Sequence, residues 1–369
     1  MHGYDTNFTY SLKNFVDTIP IEFERNQVYV KVTVNGRPYR FNLDTGSSQG
    51  AVFRGTDLGP LVELGNVISR DANGLSDTVK VVRMPDFRLG NLVVGGYVAS
   101  VFNRQYVNGH FDALLGFDLI NKGLCCKIDT KQKIMVITDR RDFFDSEHGH
   151  TLRYKLKWFV PYLMVSPFKR HVDEARFDTG ARDLYTMNKQ SFDKHAYKSK
   201  NVESQVEGRA KGSFAIGTLG AERQDEVAFL HLDRLKWNEF SFKDVRAITT
   251  QGASRVGAAI FNYGAVVING FRHTIRFLPY NDADSVIVGN KSRSVAFVPY
   301  EGRAAVGIIQ PWSEAYKAGM RQGDVILAIN GESIGSFQEF IDYRFVDEQR
   351  YTFLMRDRQG RDKIVVSKR

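Results

Sequence analysis

This 369-residue chain is short of cysteine, of long apolar runs and of helical periodicity, and each shortage excludes something. Its only two cysteines, Cys125 and Cys126, are neighbours. A disulfide between adjacent residues is strained, so no disulfide framework exists and the redox compartment stays open. On a strand the two would point to opposite faces, as small packed residues. No run of about 18 apolar residues occurs, so no helix is expected to span a membrane. The first residues, Met1-His2-Gly3-Tyr4-Asp5, lack the basic and apolar stretches of a signal peptide. Lys and Arg exceed Asp and Glu by 51 to 42, a formal charge of +9. These charges are scattered rather than clustered, which reads as a solvated surface with some preference for acidic partners or anionic membrane surfaces and not as a nucleic-acid face. Residues 138–150 are a polar break in which Asp145, Glu147, His148 and His150 follow no metal-ligand spacing. A solvated linker is the expectation there, and neither metal nor cofactor is expected.

What the chain has in quantity is short alternating apolar runs. Val28-Tyr29-Val30-Lys31-Val32-Thr33-Val34 ends in Asn35-Gly36, the signature of a strand entering a hairpin. At 43% hydrophobic and 25% charged, the composition is that of a globular protein long enough for two or three domains. Within this β pattern one tripeptide occurs twice: Asp44-Thr45-Gly46, continued by Ser47-Ser48, and Asp178-Thr179-Gly180, continued by Ala181. Phe41-Asn42-Leu43 precedes the first and Ala175-Arg176-Phe177 the second. A Gly two residues after a carboxylate permits a tight turn at a strand end, which holds the carboxylate at a fixed place. Two such loops face to face would put two carboxyl groups on one water, the equipment of general acid–base hydrolysis.

The surroundings repeat too. Leu114-Leu115-Gly116 follows the first copy and Arg255-Val256-Gly257 the second. With those glycines aligned, Asn121 to Cys126 runs parallel to Asn262 to Val267, and Lys133 to Val136 parallel to Thr274 to Phe277. The duplicated unit has the size of a small domain and is too long for a solenoid repeat.

An apolar-x-apolar-Asp-Thr-Gly run followed by two apolar residues and Gly, present twice, resembles the aspartic peptidases, and in particular bacterial retropepsin-like proteins with both lobes in one chain. Arg255 departs from the pattern. The resemblance covers roughly residues 20–280 and implies a mainly β, two-lobed acid-protease β-barrel fold with internal duplication. It makes Asp44 and Asp178 the catalytic pair, sharing a proton, with no metal and no covalent intermediate. Thr45 and Thr179 should interlock across the lobes, and Gly46 and Gly180 should bring backbone N–H groups to the carboxylates. Ser47 should hydrogen-bond Asp44, whereas Ala181 has no hydroxyl for Asp178. The carboxylate with fewer donors is less stabilised when ionised, which predicts a mildly acidic to neutral optimum. A first flap is expected at Asp71-Ala72-Asn73-Gly74, with Asn73 and Gly74 at its tip and no flap tyrosine nearby. A second, Gly-rich flap is expected across residues 208–220.

Residues 281–293 form a second polar break. Beyond it, Ser313 to Met320 reads as a short helix ending at Gly319, followed by a turn at Gly323-Asp324, an apolar strand and an Asn330-Gly331 turn. A second amphipathic helix is expected from Ser336 to about Tyr343. This stretch closely resembles the core of a PDZ domain, which binds an extended peptide as an added strand. The binding segment would be Ser294-Val295-Ala296-Phe297, without the glycines the family often has there. The expected domains are residues 1–147, 148–285 and 286–369. The implied partners are a peptide or protein substrate and a C-terminal peptide at the PDZ-like domain. A monomer is expected, since both halves of the site lie in one chain. The combination of domains implies export to a bacterial periplasm or envelope. A non-catalytic peptide-binding protein that keeps the cleft is the alternative, and a peptidase held shut by its PDZ-like domain is a third reading.

Overall fold

A computed structural model describes residues 6–104, 109–196, 200–346 and 348–368. The opening Met1 to Asp5, where a leader was sought, lie outside them. The fold is mainly β. Val28–Val34 turns into Arg37–Leu43 through Asn35 and Gly36, both at positive φ. That is the turn whose twist matches a β-hairpin, and Asn-Gly is its preferred pair. Phe41 and Leu43 go fully into the core, and the strand delivers Asp44 at its end.

Arg37–Leu43 then runs parallel to Ala113–Leu115, which lies antiparallel to Gly50–Phe53. The same figure recurs in the second lobe. His171–Asp178 runs parallel to Ser254–Gly257, which lies antiparallel to Tyr185–Asn188. Between the lobes a six-stranded antiparallel sheet takes three strands from each side. Its order is Val16–Phe23, Ile134–Thr138, Cys125–Asp129, Gly264–Asn269, Thr274–Pro279 and His150–Lys157. Cys125 and Cys126 sit on its central strand as buried free thiols. They face opposite sides: Cys126 joins the main core, and Cys125 packs with Phe144 and Leu278. One hydrophobic core runs through both lobes, from Phe41, Phe87 and Phe117 to Phe177, Trp237 and Phe277.

The C-terminal region has its own sheet of Val295–Tyr300, Arg303–Ile309, Val325–Ile329, Arg350–Arg356 and Asp362–Lys368 in that order, with Glu332–Ser333 at the side. Its helices are Glu314–Lys317 and Phe337–Asp342. The hydroxyls of Ser313 and Ser336 cap them by accepting N–H bonds, which explains why each begins where it does. Gly319 takes the left-handed φ of +102° that ends the first.

Two expectations need correction. The break at 281–293 contains a strand, Ser285–Ile287, added in parallel to Phe240–Thr250, because Val286 and Val288 are apolar enough to pack on the second lobe. The polar stretch 138–150 is tied down rather than freely solvated. Asp142 and Asp145 both pair with Arg272, Glu147 pairs with Lys127, and Phe144 is buried.

Candidate active site

The two Asp-Thr-Gly loops meet at the lobe boundary. The Thr45 backbone N–H donates to the Thr179 hydroxyl at 3.0 Å, and the Thr179 N–H to the Thr45 hydroxyl at 3.0 Å. Each hydroxyl then donates onward to the opposite lobe, Thr45 to the Phe177 carbonyl at 2.8 Å and Thr179 to the Leu43 carbonyl at 2.7 Å. Both threonines are fully buried, so every donor here needs the partner it has.

The glycines are required by contact. A Cβ on Gly46 would lie 2.3 Å from the Asp178 carboxyl carbon, and one on Gly180 would lie 2.6 Å from that of Asp44. Each loop therefore packs its bare backbone on the other loop's carboxylate, which brings the two carboxyl groups close enough to act on one another.

Their surroundings differ. Asp44 accepts from the Gly46 N–H at 2.8 Å. Asp178, only 5% exposed, accepts from the N–H groups of Gly180 at 3.1 Å and Ala181 at 3.2 Å. It also forms an ion pair with Arg176 at 3.0 Å. The Ser47 hydroxyl does not reach Asp44; it donates to the Gln49 carbonyl at 2.7 Å. The donor count thus reverses the expected order, with Asp178 the better supplied. Burial pushes the Asp44 carboxyl up, to about 7, with the negative charge of Asp178 adding to it and Arg176 and the Gly46 N–H opposing. Asp178 is thus the carboxyl with the more donors and the cation, and Asp44 the one pushed toward its protonated form.

The segments expected as flaps meet across the lobes. Val62–Arg70 and Ser76–Arg83 form a hairpin whose tip is held by the Asp71 carboxylate, which accepts from the N–H groups of Asn73 and Leu75. Asn73 reaches across and donates to the carbonyls of Ala215 and Gly220, while Asp71 accepts from the Leu219 N–H. Gly74, at φ +80°, completes the turn. The second-lobe stretch is a strand, Val206–Gly212, paired with Asp225–Trp237 and followed by a short ladder of Ile216–Gly217 and Gly220–Ala221. The two segments expected as flaps are thus latched to each other.

Of the segment Ser294–Phe297, Ala296 packs with Ile308 against Phe214, Val227, Phe229 and Ile248 of the second lobe. Phe297 turns into the C-terminal domain's own core, 4.8 Å from Phe340. Val295–Tyr300 pairs with Arg303–Ile309 and, among the described residues, with no other strand. The same domain seats Trp312 on Gly208 and on Phe229, and its Gly307 carbonyl accepts from Ser213.

The ion pair of Arg176 with Asp178 and the latch between the two expected flap segments were not expected from the sequence. Arg176 had a legible signal: it stands two residues before Asp178, and residues two apart on a strand share a face. The latch had none, since it joins residues more than 140 apart.

A family model described as aspartyl protease matches residues 30–119, the stretch that bears Asp44 and Leu114-Leu115-Gly116. A PDZ domain model matches residues 309–344. No curated protein matches the chain at a significant level. The chain carries an aspartyl protease domain and a PDZ domain on a mainly β, internally duplicated fold.

Proposed function

We propose that the chain is an aspartic endopeptidase. The ionised Asp178 takes a proton from a water lying between the carboxyl groups as that water attacks the peptide carbonyl. The protonated Asp44 donates to the carbonyl oxygen, and a proton then passes to the leaving nitrogen. The observation that carries this reading is the reciprocal Asp-Thr-Gly frame: two buried threonines and two contact glycines hold two carboxyl groups in hydrogen-bond reach. Simple peptide holding would not need a proton-sharing pair.

The domains proposed are 1–147 and 148–285 for the lobes and 286–369 for the PDZ domain. That last domain takes a peptide chain end along Ser294–Phe297 or regulates the cleft through its seat on the second lobe. A bacterial envelope setting is proposed with it, by association of such domains with exported peptidases, and fractionation of the producing cell tests it.

The test of function is cleavage of a mixed peptide library from pH 3 to 8 by the intact chain, Asp44→Asn and Asp178→Asn. Cleavage by the intact chain and by neither variant is expected. Folded proteins that are all silent, together with a silent chain cut before residue 286, would move the reading to a peptide-binding protein.

A further inference from the structure

Two arginines flank the dyad on one side. Arg176 and Arg255 are register partners on adjacent parallel strands, which places their side chains on the same face of the sheet. Phe177 and Val256, next along each strand, go to the opposite face and are wholly buried in the core. Arg176 is matched by Asp178. Arg255 is not matched: among the described residues no carboxylate lies within 4.0 Å of its guanidinium. Its Nε donates to the Ala253 carbonyl at 3.3 Å, while Nη2 is buried with no acceptor in a residue only 9% exposed. The carboxylates whose charge it feels are Asp178, Glu222 and Asp183. Each is committed elsewhere. Asp178 pairs with Arg176, and Asp183 pairs with Arg293. Glu222 accepts from the N–H groups of Phe214, Ala215 and Gln251.

The unpartnered edge of Arg255 lies beside the tip of the first-lobe hairpin. A Cβ on Gly252 would stand 3.0 Å from Arg255 Nη2 and 2.2 Å from the carbonyl of Ala72 at the flap tip. The guanidinium therefore sits between the dyad strands and the flap. With Asp44 protonated, Asp178 offsets Arg176, and Glu222 lies beyond 4.0 Å of the Arg255 guanidinium, so its buried Nη2 is left without an acceptor, a costly arrangement. A carboxylate arriving with the substrate would complete it through charge-assisted hydrogen bonds. The equivalent positions in the first lobe are neutral. Asn42 is paired in register with Leu114, and its amide is satisfied by Gln27 and the Val28 carbonyl.

We infer that Arg255 is a specificity-determining residue whose guanidinium receives a carboxylate of the bound peptide on the second-lobe side of the dyad. The preferred scissile bonds then adjoin glutamate or aspartate on that side. The cleavage part of this inference rests on the peptidase reading; the anion site does not.

Binding is measured first, in Asp44→Asn, where a neutral amide stands in for the protonated carboxyl. The probes are terminally blocked hexapeptide pools, randomised except for one central Glu or Gln, and a pool whose only carboxylate is its free C-terminus. The Glu pool should bind at least about tenfold more tightly than the Gln pool, with Arg255→Leu erasing the difference and Arg255→Lys retaining part of it. Preference for the free C-terminal pool instead would assign the carboxylate to a chain end, with the same arginine. Equal binding of all pools, or a preference that survives both Arg255→Leu and Arg255→Gln, overturns the anion site. In cleavage by the intact chain, the ratio of kcat/KM between Glu and Gln substrates should fall on the order of 100-fold in Arg255→Leu. A silent intact chain with Glu-dependent binding would support the anion site and count against the peptidase reading alone.

Discussion

The two lobes hold the same frame and surround it differently. Asp44 and Asp178 end matching strands, each beside a parallel strand ending near a glycine, and the threonine and glycine contacts repeat almost distance for distance. Two residues before each aspartate the likeness stops: Asn42, fully bonded and neutral, faces its counterpart Arg176, ion-paired to Asp178. Leu114 likewise faces Arg255. Duplication preserved what both carboxyl groups need in common, the clamp and the bare backbone. It left free the positions that supply each carboxyl with donors and charge, which on the proposed reading makes one the acid and the other the base.

The severest test of the shared frame is a methyl group at either glycine. Gly46→Ala and Gly180→Ala each force a carboxylate out of place, since the added carbon would stand 2.3 Å and 2.6 Å from its carboxyl carbon, far inside van der Waals contact. Both should lose on the order of 1,000-fold or more in kcat, equally in the two lobes. A loss confined to one lobe would show that the frame is not symmetric.

Next comes the clamp. Thr45→Val and Thr179→Val each remove a hydroxyl that donates one buried bond and accepts another. Each should cost about 2–4 kcal/mol in denaturant unfolding, with the double variant costing less than the sum because the bonds form one network.

The asymmetry is sharpened by pH. Asp44 must be protonated to donate, and its carboxyl is raised to about 7, so kcat/KM should fall as pH rises through about 7. Arg176 favours the ionised form of Asp44. Arg176→Met should therefore move the high-pH limb of the profile upward by about one pH unit. A profile unchanged by that substitution would separate Arg176 from the chemistry.

The smallest effect expected is on stability, in Arg255→Leu. Removing a buried charge that has no acid partner should leave the melting temperature unchanged or raise it by about 2–4 °C. A marked drop would mean that the guanidinium supports the fold.

Much of this was legible in the residues. The doubled tripeptide, the paired apolar-Gly strands and the repeat between Asn121 and Asn262 point to two lobes, because strand period and turn chemistry are local. The caps at Ser313 and Ser336 and the stop at Gly319 were legible for the same reason. Side-chain direction was not. Ser47 bonds Gln49 instead of Asp44 because that carbonyl lies only two residues away, a competition that composition does not reveal. The latch of Asn73 on Ala215 and Gly220, and the seat of Trp312 on Gly208, depend on how separate units come together.

The threonine clamp also sets a clock. Thr45 and Thr179 are 134 residues apart, and each needs the other's hydroxyl. At about 5–20 residues per second of synthesis, roughly 7–27 s pass between the making of one and the making of the other. The sheet that joins the lobes needs the strand Gly264–Asn269, later still. On the peptidase reading, no cutting edge is assembled on the nascent chain during that interval, and the order of its parts keeps the ribosome and the chain itself out of reach of an enzyme only half made.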